Sequence, residues 1–347
     1  MIMNYKPIPT VPCYKSMPWG GTSLNEDYGK KSTFAVTGES WEAAEHFNGK
    51  TPAASGEFAG MDFAQIIAAM PEGAFLGKLT TDGKFPLLFK LIDARDRLSV
   101  QVHPDDAYAA ADGDRGKTEM WIVMSAEEGA GLYLGFKEAI SREEYQKLIE
   151  KNELESALQF IPCKAGDTFF LQPGLVHAIG TGLVIAEIQQ SSDTTYRVYD
   201  WGRLGLDGKP RALHIEKALD VSKTELKGEL GAVLPIKTDG AEIEYLPACS
   251  MFATQRIRLH DRCEIAHSGD SFSIVFCAKG ALTITADGGE IALSTGMTAV
   301  VPAAADGFTL CGDGEIYRFY VPNIDADIVA PLKNAGYADT EIQKLLY

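Results

Sequence analysis

Nowhere do the 347 residues contain an uninterrupted run of about 18 apolar side chains, the length a helix needs to span a bilayer. The opening stretch MIMNYKPIPTVPCYKSMPWGG lacks the apolar core of a secretory signal. No two of the cysteines (Cys13, Cys163, Cys249, Cys263, Cys277, Cys311) stand in a C-x-x-C pair, so neither a zinc knuckle nor a disulfide framework is indicated. Free thiols in a reducing compartment, the cytoplasm, are the expectation. Positive charge is also scarce: Lys+Arg 32 against Asp+Glu 48 gives −16. That balance argues against nucleic acid or an anionic membrane as the main partner, although one locally basic pocket can still take a small anion. What is present is ordinary for a soluble globular protein, with 46% apolar and 23% charged residues and enough chain for two cores.

The first forty residues are rich in proline, glycine and aromatics (Pro7, Pro9, Pro12, Pro18, Trp19, Gly20, Gly21) and read as short extended pieces and turns. A strand-like segment follows at 38-GESWEAAEHFNG-49, then a helix at 62-DFAQIIAAM-70 with Asp62 as its N-cap. The run 85-FPLLFKLIDA-94 carries Lys90 in its middle, which belongs at an edge or faces a polar cavity. Only residues 95–97 separate it from 98-LSVQVHP-104, so the two are expected to pair as antiparallel neighbours. Two short helices at about 141–160, the first opened by Ser141 and Glu144, interrupt the β pattern. It resumes at 166-GDTFFLQPGLVHAIGTG-182, 183-LVIAEIQQ-190 and 194-TTYRVYDWGR-203. Residues 223–241, rich in Lys, Glu, Gly and Thr without aromatics, read as a linker.

A second β-rich block follows, with candidate strands at 272–276, 281–285, 290–294, 297–301, 308–310 and 316–321 and a hairpin turn at 286-ADGG-289. Its segment 296-GMTAVVPAAADGF-308 repeats the layout of 166-GDTFFLQPGLVHAIG-180, with Ala and Asp where His177 stands. The halves therefore read as an internal duplication in which only the first keeps metal ligands. The boundary is placed between 1–230, with a helical insertion at about 137–162, and 231–347.

Alternation along a strand puts Gln101 and His103 on one face, with Leu98, Val100 and Val102 on the other. In the next strand Lys117, Glu119, Trp121 and Val123 share a face, and His177 follows a Pro-Gly turn. Taken singly, each of Gln101, His103, Glu119 and His177 is more often a satisfied core or surface residue than a ligand. Taken together, amid aliphatics that are costly neighbours for stranded polar groups, they suit Zn²⁺ or a similar first-row ion. A second constellation, Lys90, Lys117, Glu187 and Arg197 with Arg203 nearby in sequence, suits an anionic substrate. The bland alternative is that Lys117 and Arg197 pair structurally with Glu187 or Asp200. His214, His260 and His267 have no partner at ligand spacing, and Trp41 reads as core or as a sugar platform.

These residues resemble the type I phosphomannose isomerases of the short bacterial form. The resemblance is carried by GESWE at 38–42, FPLLFKLIDA at 85–94, LSVQVHPDD at 98–106, GKTEMW at 116–121, PGLVHAIGTG at 173–182 and IAEIQQSSDTTYRVYDWGR at 185–203. It departs at 42-EAAEHF-47, where the family more often carries His-Pro. The resemblance implies a mainly β fold of two cupin-type (jelly-roll) β barrels with a short helical insertion in the first. It implies one Zn²⁺ per chain, held by Gln101, His103, Glu119 and His177. Arg197 and Lys117 match the family's active-site cations, Lys90 and Ser99 its phosphate-side pocket, and Glu39 and Glu187 its pocket carboxylates.

The implied reaction interconverts mannose 6-phosphate and fructose 6-phosphate through a cis-enediol(ate), with Glu187 nominated to move the proton. The partner is then a small sugar phosphate, in a monomer or weak homo-oligomer. Two competing readings are an iron-dependent cupin oxygenase, which favours an apolar pocket, and a sugar-phosphate sensor that binds without turnover.

Overall fold

The computed structural model describes residues 5–347; residues 1–4 of the opening stretch lie outside it. The chain is mainly β. Its first half builds two facing sheets. One runs, in spatial order, Thr168–Leu171, Glu119–Ala126, Leu183–Gln190, Leu87–Ala94, Glu39–Ala43 and Cys13–Lys15. The other runs Leu158–Pro162, Gly131–Phe136, His177–Ile179, Val100–Val102 and Tyr196–Tyr199. All the pairings in these sheets are antiparallel.

The expected pairing of 85–94 with 98–104 is not formed. Leu87–Ala94 pairs with Glu39–Ala43 and Leu183–Gln190, whereas Val100–Val102 pairs with His177–Ile179 and Tyr196–Tyr199 in the opposite sheet. The short link folds over the sandwich edge, where Asp96 N–H donates to Trp19 O at 3.0 Å and Leu98 N–H to Ile179 O at 2.8 Å. A short connection between two apolar runs is compatible with a hairpin or a crossing between layers; burial of both faces of Leu87–Ala94 selects the crossing.

The second half repeats this plan. Phe308–Tyr320 lies between Ser273–Ala286 and Ala253–Leu259, as Leu183–Gln190 lies between Glu119–Ala126 and Leu87–Ala94. Four of the expected short strands are merged in two long ones, 14 and 13 residues, bent at Gly280, Gly312 and Gly314. The 286–289 turn is a two-residue hairpin loop with positive φ at Asp287 (44°) and Gly288 (70°). Within the expected linker, Leu234–Lys237 forms a strand on Ala241–Tyr245, because Leu234 and Ile236 pack on the C-terminal helices. Ile8–Pro9 joins the C-terminal sheet through Thr298–Val301, so the chain begins its sheet-building in the half it completes last.

The helices sit where local chemistry stops the strands. Asp62 caps Phe63–Ala69 by accepting from Gln65 N–H, and Gln65 answers with a reciprocal bond. Ser141 Oγ accepts from Glu144 N–H at 3.2 Å to open Arg142–Glu150, and Leu154–Ala157 follows. Among the described residues no helix is long and apolar enough to cross a membrane.

The halves are joined by an aromatic seam. Phe89, fully buried, faces Phe276 at 5.2 Å and Phe319 at 4.4 Å between ring centroids, and Phe85 faces Phe272 at 4.9 Å. Beside it the buried Glu42 accepts from Thr298 Oγ1 at 3.0 Å and pairs with Lys30 at 2.7 Å. Phe89→Ala is expected to destabilise the protein by about 3–5 kcal/mol in equilibrium urea unfolding, the usual cost of emptying a buried aromatic site. A loss under about 1 kcal/mol would show that the seam contributes little.

Candidate functional site

Three strands and one loop of the first half deliver the ligand candidates to one point. Gln101 stands opposite His177 across two neighbouring strands. Glu119 opens the strand Glu119–Ala126 of the facing sheet, and His103 lies just beyond the end of Val100–Val102. Ligand atoms of His103, Glu119 and His177 all lie within 4.8 Å of one another, and all three residues are buried.

Each imidazole is fixed by a backbone carbonyl. His103 Nδ1 lies 2.9 Å from Thr194 O, and His177 Nδ1 lies 2.9 Å from Leu175 O. A carbonyl only accepts, so in each neutral ring Nδ1 carries the proton and Nε2 keeps a bare lone pair. Those lone pairs face the carboxylate: His103 Nε2 is 3.3 Å from Glu119 Oε1 and His177 Nε2 is 3.9 Å from Glu119 Oε2. Neither Glu119 oxygen makes an aligned hydrogen bond, although both are buried. Two inward-facing, unprotonated imidazole nitrogens and a buried carboxylate at this spacing are a donor set that could hold a divalent cation. The Gln101 amide borders them, 3.4 Å from His177 Nε2.

Electrostatics keep the set in its ligating protonation state. Burial, reinforced by His103, pushes His177 down to about 3. Burial and then Lys117 lower His103. For Glu119 burial acts upward, but Lys117 and the two imidazoles outweigh it and hold the carboxyl well below its ordinary range. Lys117 Nζ stands 2.6 Å from Glu119 Oε1 and 3.2 Å from His103 Nε2.

Above this point opens a cavity of about 410 Å³, lined by Gln101 and Lys117 and by Glu39, Lys90, Ser99, Glu187 and Arg197. Every sequence-predicted pocket residue therefore reaches the same space. Lys90 is buried, not at an edge; its ammonium lies 3.2 Å from Glu187 and 3.9 Å from Glu39. Burial opposes its charge, but Glu187 and Glu39 outweigh that and raise its pKa. Burial and the field of Glu119 push Glu187 up to about 7.

Arg197 takes part in no ion pair among the described residues; it donates to Ser99 Oγ at 3.2 Å and Ala212 O at 2.9 Å. The structural pairing considered for it with Asp200 is absent, because Arg203 and Arg211 occupy that carboxylate at 2.8 and 2.6 Å. Lys117, by contrast, is paired, with Glu119 and at 3.8 Å with Glu187. Arg203 leaves the cavity for Asp200, Asp96 and the Arg97 carbonyl. Trp41 is core, its indole N–H donating to Glu39 at 2.7 Å. His46 packs on Phe47 with its ring 4.1 Å away and does not line the cavity.

Sequence reading missed Met17, Trp19, Asp193, Thr195 and Arg211, all of which line it. They come from loops or the irregular opening stretch, where no periodicity marks the inward face. Asp193 stood inside a matched motif without being singled out, and Arg211 lay just beyond one.

A family model described as phosphomannose isomerase type I, catalytic domain, matches residues 10–158, and one described as mannose-6-phosphate isomerase, cupin domain, matches residues 242–321. The mannose-6-phosphate isomerase of Streptococcus mutans is 36% identical over 302 residues, 86% of this chain and 93% of that protein. A mannose-6-phosphate isomerase of Bacillus subtilis is 39% identical over 63% of this chain and 69% of its own length. Among solved structures, a Bacillus subtilis mannose 6-phosphate isomerase matches with a TM-score of 0.82 at 29% identity, covering 90% of this chain and 99% of that one. A variant of the Salmonella typhimurium phosphomannose isomerase, at 18% identity and a TM-score of 0.71, adds a likeness of fold alone. With a relative this similar along nearly its whole length and both cupin halves in place, the chain belongs to the type I phosphomannose isomerase family.

Proposed function

We propose that this protein interconverts mannose 6-phosphate and fructose 6-phosphate in the cytoplasm, using one zinc ion per chain. The observation that carries the reading is the pair of carbonyl-anchored imidazoles facing the buried Glu119 carboxylate beneath a cation-rich cavity. His103, Glu119 and His177 would hold the ion, and Gln101, whose amide nitrogen now borders His177 Nε2, would complete the set through its oxygen once the amide is turned over. When bound, zinc supplies Lewis-acid stabilisation of negative charge developing on the sugar oxygens.

The chain's own groups do the rest. Lys90, Ser99 and Glu39 bind the sugar phosphate along the cavity wall. Glu187, buried with an oxygen that makes no hydrogen bond, takes the C2 proton of the open-chain aldose and returns it at C1. The electron pair left at C2 enters the C1–C2 double bond of the cis-enediolate while O1 takes up the charge; protonation at C1, with the O2 proton passing to O1, yields the ketose. Arg197, free of a carboxylate partner, places a fixed cation beside that charge, and Lys117 assists at the oxygens. The near-complete burial of Lys90, Ser99, Lys117 and Glu187 excludes competing water and strengthens each interaction.

Four charged side chains at the cavity wall, Lys90, Lys117, Arg197 and Arg211, disfavour the oxygenase alternative, whose substrates call for an apolar pocket. A sensor that binds without turnover gives no reason for a Lewis-acid donor set beneath the substrate.

Glu119→Gln and His177→Ala are each expected to lower bound zinc, read by metal analysis, and isomerase activity together. Full activity in a metal-free variant would remove the mechanism. Arg197→Ala is expected to keep wild-type metal content and lose about 10²–10³ in kcat, the scale for deleting one donor to a developing oxyanion; unchanged turnover would withdraw that assignment. Dialysis against a chelator is expected to abolish turnover of mannose 6-phosphate in a coupled assay, with recovery on adding zinc. Activity that survives complete metal removal would leave the zinc proposal without support.

A further inference from the structure

The two halves can be compared position by position through their strand registers. In the first half Trp121 stands opposite Phe169 and Glu187, and Glu119, two residues earlier, opposite Leu171. In the second half Val275 stands opposite Ala299 and Arg318, and Ser273, two residues earlier, opposite Val301. Ser273 thus occupies the place of Glu119, and Arg318 that of Glu187. Lys90 lies opposite Glu187, and Gln255 lies opposite Arg318.

Side-chain contacts repeat the correspondence. His267 Nε2 is 2.9 Å from Ser273 Oγ, as His103 Nε2 is 3.3 Å from Glu119. The His267 ring stands 5.2 Å from Phe308, as the His103 ring stands 4.8 Å from His177. The counterpart of the Gln101–His177 pair is Ile265–Phe308.

These exchanges reverse the charge of the site. The two anionic positions compared, Glu119 and Glu187, become the neutral Ser273 and the cationic Arg318, and only one imidazole remains. Arg318 donates from Nε to Ser273 Oγ at 2.8 Å and from Nη1 to Gln255 Oε1 at 3.0 Å, with its guanidinium 4.0 Å over the Tyr320 ring. Among the described residues it forms no ion pair. A largely desolvated guanidinium without a counter-charge is costly, and its Nη2 hydrogens have no partner in this set. Nearby, His267 Nδ1 and the Tyr320 hydroxyl are buried without hydrogen-bond partners. Asp327 is the nearest acidic influence; burial raises its pKa, and Arg318 acts on it without pairing. Arg318 and His267 are both partly exposed, at the place in the second barrel that corresponds to the metal-ligand candidates of the first.

We propose that this end of the C-terminal barrel binds a small oxyanion, phosphate or the phosphate group of an ester, on the Arg318 guanidinium. The planar fork matches two oxyanion oxygens, and the histidine and tyrosine supply further hydrogen bonds.

The test uses the full-length, metal-loaded protein. Crystals grown free of phosphate and sulfate and soaked in selenate are expected to show an anomalous peak within hydrogen-bond distance of Arg318, absent in Arg318→Gln. Isothermal titration with inorganic phosphate, and separately with mannose 6-phosphate, is expected to show a second site in wild type that weakens at least about tenfold in Arg318→Gln, with kcat and KM unchanged. A second site filled by inorganic phosphate identifies the free anion as sufficient; one filled only by the ester identifies the sugar phosphate. Selenate confined to the first-half cavity overturns the proposal. So does an Asp327 carboxylate closed onto Arg318 in the anion-free crystal.

Discussion

Two hydrogen bonds from imidazole Nδ1 to main-chain carbonyls, at Thr194 and Leu175, underlie the arrangement of the site. They choose the tautomer of His103 and His177, turn both Nε2 lone pairs inward, and lock the rings without spending a side chain on either. The accepting carbonyls belong to the loop before Tyr196–Tyr199 and to the Pro-Gly turn before His177–Ile179. Those loops are therefore part of the site although neither carries a ligand candidate of its own. Everything further out, from Lys117 to the cavity wall, is arranged around the charge that this inward-facing set can accept.

The next constraint is charge balance under burial. Lys90, Lys117, Glu119 and Glu187 are all nearly inaccessible, and each is tolerable because the others are present. Arg197 alone among the pocket cations of the first predicted set stays out of such a network. Structural ion pairs elsewhere absorb the competing acids: Asp200 is taken by Arg203 and Arg211, leaving Arg197 uncompensated. An uncompensated, half-buried guanidinium is what an anionic substrate or transition state calls for.

Much of this was legible before any coordinates. Alternation along 98-LSVQVHP-104 put Gln101 and His103 on one face, and the buried pattern of Val100 and Val102 agrees. That the four ligand candidates meet was read from their shared faces and aliphatic surroundings and supported by the family resemblance, since strand period alone does not say which strands are neighbours. The failure of the 85–104 hairpin shows the limit: a short charged link is equally good at turning within a sheet and at crossing between sheets, and the decision lies in contacts far along the chain. Arg211, Asp193 and Trp19 were invisible for a related reason, because irregular backbone imposes no inward face. The merged strands Ser273–Ala286 and Phe308–Tyr320 were divided at glycines that bend a strand without ending it.

The pairing of Ile8–Pro9 with Thr298–Val301 has a bearing on how the molecule is made. On the ribosome the first strand emerges long before its partner exists, so the edge it will occupy is written by some of the last residues to appear. Until then Thr10 has no Thr298 carbonyl to bond and Glu42 lacks the Thr298 hydroxyl it will accept from. The half that houses the cavity thus completes its own boundary only when the other half has been synthesised. Nascent chain released early keeps an open strand edge and a half-satisfied acid.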